Sequence, residues 1–203
     1  MCKAGINMRY ILASGSPRRK ELLAKVITEF EIIPAVGDEV TTKSEPAEVV
    51  GELSFQKASE IFHKILTEGN GDFVVIGADT IVSYNHRVLG KPSDRQDAEN
   101  MLHELSGQVH EVYTGVTVFS HIDNEDMNFT FTECTGVRVS CLSDKEIRDY
   151  VSCGECDDKA GAYAIQGEFS KFIEGIDGDY FNVVGLPVAG LYRELKNHKL
   201  LFE

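Results

Sequence analysis

Apolar and polar positions along this chain follow two periods in turn, and each switch of period marks an element. Tyr10-Ile11-Leu12-Ala13 and Phe30-Glu31-Ile32-Ile33 are short apolar runs that predict strands. Phe73-Val74-Val75-Ile76-Gly77-Ala78 is continuous and rich in β-branched residues, which predicts a strand buried on both faces that ends at Asp79. Ile81 to Leu89 predicts a hairpin about Asn85-His86. Val109 to Ser120 and Phe129 to Ser140 alternate with period two and predict two long strands, joined by a polar turn through Asp123 to Asn128.

Between these runs the period lengthens to that of a helix. Ser16 followed by Pro17 is a capping and first-turn signal for a helix through Arg18, Arg19, Leu22, Leu23 and Val26. Pro46 opens a longer helix with Val49, Val50, Leu53, Ala58, Ile61, Ile65 and Leu66 as its buried stripe. Ser93-x-x-Gln96 and Ser143-x-x-Glu146 read as capping boxes, for helices through Leu105 and to about Val151. Gly161 to Gly167 predicts a strand and turn, and Asn182 to Pro187 leads into a last helix through Leu191 and Leu195. Strand and helix alternate, so the fold class is mixed α/β, and no repeat or linker divides residues 1–203.

Composition narrows the choice of function. At 203 residues the chain can bury a full core, and a net charge of -13 disfavours non-specific binding to nucleic acid or to an anionic membrane. An anionic substrate stays open, because a local cluster of cations or a bound metal ion reverses the field inside one cleft. No apolar run approaches the length of a membrane span and the first residues lack the apolar core of a signal peptide, so a cytoplasmic location is expected. Five cysteines fit free thiols in a reducing compartment. Cys153-Gly154-Glu155-Cys156 lacks the second pair of a zinc site and follows a helical segment, so it reads as free surface thiols rather than as a metal or redox site.

Four stretches carry candidate chemistry. Ser14-Gly15-Ser16-Pro17-Arg18-Arg19 is a glycine turn into a helix start with two guanidinium groups, which suits phosphate oxygens; it reads equally as a capped helix with solvated arginines. Asp38-Glu39 and Asp79 supply carboxylates of the kind that hold Mg²⁺ beside substrate phosphates, or form a solvated acidic loop. Lys57 on the long helix and Lys91 between Gly90 and Pro92 are candidate point charges for a leaving phosphate. Gln166, with its paired donor and acceptor, suits a base edge, with Thr80 assisting; otherwise it caps a turn. His110 alternates on a strand and reads as structural.

Together these stretches resemble the Maf family of nucleotide pyrophosphatases, from Leu12 to Leu195. The resemblance rests on Leu12-Ala13-Ser14-Gly15-Ser16-Pro17-Arg18-Arg19, Asp38-Glu39, Lys57-Ala58, Gly77-Ala78-Asp79-Thr80 and Gly90-Lys91-Pro92. It continues through Ser106-Gly107, Thr114-Gly115, Lys159-Ala160-Gly161-Ala162-Tyr163, Ile165-Gln166-Gly167 and Tyr180-Phe181-Asn182-Val183-Val184-Gly185-Leu186-Pro187. Ala164 stands where glycine is frequent and Asp179 where serine is common.

The resemblance implies a two-lobed α/β fold with a central cleft, related to the inosine triphosphate pyrophosphatases. It implies hydrolysis of a nucleoside triphosphate to the monophosphate and pyrophosphate, with Mg²⁺ or Mn²⁺ as cofactor and a homodimer as a common assembly. Asp79-Thr80 and Gln166 side with the branch acting on dTTP, UTP and some modified pyrimidine nucleotides. The roles expected are Glu39 and Asp79 on the metal, Ser14, Arg18 and Arg19 on the triphosphate, Lys57 and Lys91 on the departing pyrophosphate, and Thr80 and Gln166 on the base. Asp79 also orients or deprotonates the attacking water. One rival is a phosphomonoesterase with Asp79 as nucleophile, which usually needs a second acid where Ile81 stands. The other is a non-catalytic nucleotide-binding regulator of cell division, which the family's link to septum formation permits.

Overall fold

A computed structural model describes residues 8–69 and 71–201. In chain order the elements are β1 (Arg9–Leu12), α1 (Pro17–Leu23), β2 (Glu31–Ile32), α2 (Pro46–Glu68), β3 (Phe73–Tyr84), β4 (Arg87–Leu89) and α3 (Arg95–Leu105). There follow β5 (Val109–Ile122), β6 (Glu125–Val139), α4 (Asp144–Ser152), two 3₁₀ segments (Ala160–Ala162 and Glu168–Phe172), β7 (Ile173–Asp177), α5 (Tyr180–Val184) and α6 (Val188–Asn197). The described strands form one mixed sheet in the order β2-β1-β3-β5-β6-β7, with β4 paired to the far end of β3. The mixed α/β class read from the sequence is the one found.

β3 organises the molecule. It is a single strand of 12 residues, so Asp79 lies within it rather than at its end as expected. The sequence breaks at Thr80 because that residue and Ser83 are polar, yet both have buried neighbours on the sheet. On one edge β3 pairs with β5 along most of its length, Asp79 opposite Gly115. On the other edge its parallel pairing to β1 stops at Leu12↔Ile76 and its antiparallel pairing to β4 begins at Val82↔Leu89. Residues 77–81 therefore face a gap in that edge. Asp79 still lies just past the carboxyl end of the parallel strand pair, where open α/β sheets bind ligands.

Successive side chains of β3 point to opposite faces. Phe73 and Val75 join Ile11, Ala13 and Phe119 under Ala58, Ile61, Phe62 and Ile65 of α2. Val74, Ile76, Ala78 and Val82 face the larger core with Leu102, Leu105, Ile147, Leu191 and Leu195. Asp79 thus looks toward α2 and Thr80 away from it. The helix comes unusually close to the sheet there. A Cβ on Gly77 would lie 2.7 Å from the Ser54 carbonyl, and one on Gly115 would lie 2.2 Å from the Val50 carbonyl. Two glycines on neighbouring strands form the notch that α2 fills. Ser54, buried in it, bonds Thr117 at 2.9 Å.

Other expectations need correction. α1 stops at Leu23, and the chain turns through Val26 instead of continuing the helix. The cap of α3 is Asp94, whose carboxylate accepts from Asp97 N–H at 2.8 Å, one residue later than Ser93; Asp97 Oδ2 accepts from Ser93 N–H rather than from the cap residue, so the expected Ser93-x-x-Gln96 box is not the one formed. The β5–β6 connection is a two-residue turn at Asp123-Asn124, both with positive φ, and not a loop to Asn128. Residues 161–167 form no strand: Gly161 and Ala162 both have positive φ, which no strand accommodates. Cys156 is fully buried, while Cys153 is exposed, so the pair is not two surface thiols.

Candidate active site

The candidate site gathers at the gap beside Asp79. Lys57 comes from α2 and reaches it because Gly77 and Gly115 let the helix down onto the sheet. Its Nζ lies 2.5 Å from Asp79 Oδ1 and 2.9 Å from Glu39 Oε1. Asp79 is buried and Lys57 nearly so, whereas Glu39 sits on an exposed loop. Two carboxylates thus converge on one cation.

The loop carrying Glu39 is strapped to α2 by polar residues one helical turn apart. Glu60 accepts from the N–H groups of Val36 and Gly37, each at 3.0 Å. Gln56 donates to the Val40 carbonyl at 2.5 Å and accepts from its N–H, and Glu52 accepts from the Thr41 hydroxyl at 2.6 Å. The spacing of Glu52, Gln56 and Glu60 puts them on one helix face, a signal present in the sequence. What lies on that face was not.

Arg19 enters the gap from the opposite side. Its Nε donates to the Gly185 carbonyl at 2.9 Å, Nη1 to Ser14 Oγ at 3.3 Å and Nη2 to Thr80 Oγ1 at 3.1 Å. Burial pulls its pKa below the usual value, and the nearby Asp79 opposes that pull. A guanidinium has five N–H donors, so two remain for a ligand. Ser14 is buried and its oxygen also accepts from Ser16 N–H at 3.3 Å. Its own hydroxyl hydrogen remains to be donated. Arg18 is partly exposed; its charge helps hold the Asp158 carboxyl below the usual range, after the larger effect of Lys159.

Thr80 is more committed than its sequence position suggests. Thr114 Oγ1 donates to the Asn182 carbonyl at 2.9 Å, so it accepts from Thr80 Oγ1, also at 2.9 Å. Thr80 in turn accepts from Arg19. The chain runs Arg19 to Thr80 to Thr114 to Asn182 in one direction, and Thr80 keeps only acceptor capacity. Asn182 is buried and ties this corner to β5 and β6 through Val112 and Thr135 at 2.9 and 3.0 Å. Sequence reasoning gave Thr114 and Asn182 no such role, because they are 68 residues apart.

Lys91 and Gln166 lie on exposed loops. β4 runs back along β3 toward the Asp79 end, and Gly90 follows it, its carbonyl accepting from Gly161 N–H at 3.0 Å. Lys91 is exposed. Gln166 is exposed at the tip of a turn, its amide free of partners among the described residues. His110 is not in this group: it is buried on β5, its Nε2 2.7 Å from Tyr163 Oη, and burial pushes its pKa down to about 4.

A divalent ion fits this donor set only in company. Among the described residues no cluster of three or more His, Cys, Asp or Glu side chains is arranged to hold a metal. Glu39 and Asp79 supply two hard oxygen donors at one point, which suits Mg²⁺ or Mn²⁺ sharing its remaining positions with phosphate oxygens and water.

Comparison with known proteins identifies the family of the chain. The chain is 51% identical over 195 residues to a protein of Agathobacter rectalis named dTTP/UTP pyrophosphatase, covering 92% of this chain and 95% of that one. It is 49% identical over 189 residues to a Bacillus cereus protein of the same name, covering 93% and 94%. Among solved structures, the Ham1 protein of Staphylococcus aureus superposes over 94% of this chain and 99% of its own, at 8% identity and a TM-score of 0.43, too distant to add to the assignment. The family model described as Maf-like protein matches residues 9–198, nearly the whole chain. On that match, and on relatives this similar over nearly their whole length, the chain belongs to the Maf family.

Proposed function

We propose that this Maf protein is a nucleoside triphosphate pyrophosphatase that hydrolyses dTTP and UTP, and modified pyrimidine nucleotides of the same shape, to the monophosphate and pyrophosphate. The observation that carries this reading is the meeting of Lys57, Glu39 and Asp79 beside Arg19, from four separate segments, at one gap in the sheet. Relatives at about half identity bear the name of that activity.

In this reading Ser14, Arg18 and Arg19 seat the triphosphate: Ser14 through its free hydroxyl hydrogen, Arg19 through its two unused N–H groups. α1 has only seven residues, so the guanidinium groups rather than the helix dipole carry the attraction. Glu39 and Asp79 would hold the divalent ion, which when bound would neutralise charge on the phosphates and acidify water. Lys57 then leaves the carboxylates for the phosphate oxygens, where charge builds up as the α–β anhydride bond breaks. Asp79 orients the attacking water; a carboxylate on a metal ion is a poor base, so acidification of the water by the ion would do more of the deprotonation. Lys91 meets the departing pyrophosphate at the rim. Gln166 reads the pyrimidine edge with both halves of its amide, and Thr80 contributes an acceptor only.

The reading also assigns the enzyme to the cytoplasm, with a small-molecule nucleotide as its partner. Among the described residues no helix is long and apolar enough to cross a membrane. A panel of canonical and modified triphosphates, assayed with Mg²⁺ and with Mn²⁺, tests the proposal. Equimolar monophosphate and pyrophosphate from dTTP and UTP is expected. Release of orthophosphate, or tight binding without turnover, overturns it.

A further inference from the structure

Two contacts grip the segment that carries Gln166, and neither involves its side chain. At one end Ala164 N–H donates to the Tyr150 hydroxyl at 3.2 Å. At the other, Glu168 N–H donates to Glu155 Oε1 at 3.1 Å. Between them Gly167 N–H closes on the Ala164 carbonyl at 3.2 Å. Tyr150 belongs to α4 and is buried, its ring 5.0 Å from that of Phe169. Glu155 lies just after α4, between the two cysteines, in a stretch to which sequence reasoning gave no function.

Glu155 is pressed hard against the turn. A Cβ on Gly167 would lie 1.6 Å from its Oε1, so a side chain at 167 would displace the carboxylate. The carboxylate also lies against the Tyr150 hydroxyl, whose pKa it helps to raise after the larger effect of burial. A carboxylate turned inward costs stability unless its bonds repay it, and those of Glu155 go to Glu168 and to Tyr150, the two anchors of one turn. The turn it holds presents one polar side chain to solvent with no partner of its own, that of Gln166.

We propose that Glu155, with Tyr150, is a positioning residue for base recognition: it fixes the turn from Ala164 to Glu168 so that the Gln166 amide meets the pyrimidine edge in one orientation. This rests on the reading that Gln166 contacts the base. A recognition amide on an unanchored turn would have to be ordered each time substrate binds, at the expense of affinity. Anchoring both ends removes that loss for the correct base and changes nothing for the phosphates.

The test compares dTTP, UTP and dGTP hydrolysis by the wild type, Gln166→Ala, Glu155→Ala, Glu155→Gln and the double variant Gln166→Ala/Glu155→Ala. Glu155→Ala is expected to lower kcat/KM for the pyrimidines about tenfold, mostly through KM, with little change for dGTP. Glu155→Gln retains an acceptor for Glu168 N–H and should restore most of the selectivity. In the Gln166→Ala background, removing Glu155 should cost no further selectivity. If Glu155→Ala does not fold, Tyr150→Phe removes the other anchor and carries the same expectation. A selective loss in Gln166→Ala with none in the anchor variants overturns the positioning role and leaves the base contact standing. So do losses that simply add. If Gln166→Ala itself leaves selectivity intact, the base contact fails and the positioning role falls with it.

Discussion

Lys57 Nζ lies 2.5 Å from Asp79 Oδ1, across the notch in which α2 rests on Gly77 and Gly115. The same ammonium reaches Glu39 at 2.9 Å. On the proposed function it occupies the place between two carboxylates that a divalent ion would take, and the two cations would compete for it. Lys57→Met is expected to bind Mn²⁺ more tightly in the absence of nucleotide, measured by calorimetry. The same variant should release pyrophosphate about a hundredfold more slowly, having lost its contact to the leaving group. An unchanged Mn²⁺ affinity would mean that these carboxylates do not hold the ion together.

The notch itself can be filled. Gly115→Ala places a methyl group 2.2 Å from the Val50 carbonyl, which must push α2 off the sheet. A loss of about 1–3 kcal/mol in urea unfolding is expected, with a fall in turnover because Lys57 moves away from Asp79. Gly175→Ala, where nothing lies within 4 Å of the new methyl, is the control and should change neither.

Glu60 holds the acidic loop by two exposed backbone N–H groups. Removing it in Glu60→Ala leaves those groups to water, so stability should stay within about 1 kcal/mol of wild type. The loop that presents Glu39 is then unanchored at one end. The Mg²⁺ concentration giving half-maximal activity should rise, read from a metal titration at saturating nucleotide. An unaltered titration would detach Glu39 from the metal.

Burial lowers the His110 pKa from 6.5 to about 4. The folded state thus prefers the neutral ring. Its contribution to stability is fully present above pH 6.5 and is lost as pH falls from there through about 4. Between pH 7 and pH 5 the wild type should lose about 2 kcal/mol from this group. His110→Gln, which places an amide where Nε2 meets Tyr163, should lack that part of the slope in urea unfolding. Equal slopes would contradict the assignment.

Much of this was legible in the chain. The apolar run before Asp79, the Ser16-Pro17 helix start, the stripe of α2, the Asn85-His86 hairpin and the Ser143–Glu146 box all depend on neighbours in sequence, and all are found. The failures share a cause. β3 runs past Asp79 because β5 pairs with it as far as Ser83, a partner 28 residues away. Residues 161–167 look like a strand from their apolar spacing, but Tyr150 and Glu155 hold 164–168 as a turn. Thr80 reads as an aid to base recognition because Arg19 and Thr114, which engage its hydroxyl, and Asn182, which orients Thr114, lie elsewhere in the sequence. Residue types announced the carboxylates and cations of the site; only the tertiary fold shows which of them touch.

The central claim is that Asp79, paired with Lys57 in the gap of the sheet, carries the hydrolysis. Asp79→Asn keeps the size and most of the hydrogen bonding of the side chain while removing its charge. Pyrophosphate release from dTTP, measured beside the melting temperature, decides the matter. The account predicts a folded variant whose turnover is at least about a hundredfold lower. A folded Asp79→Asn enzyme that releases pyrophosphate at the wild-type rate would contradict it.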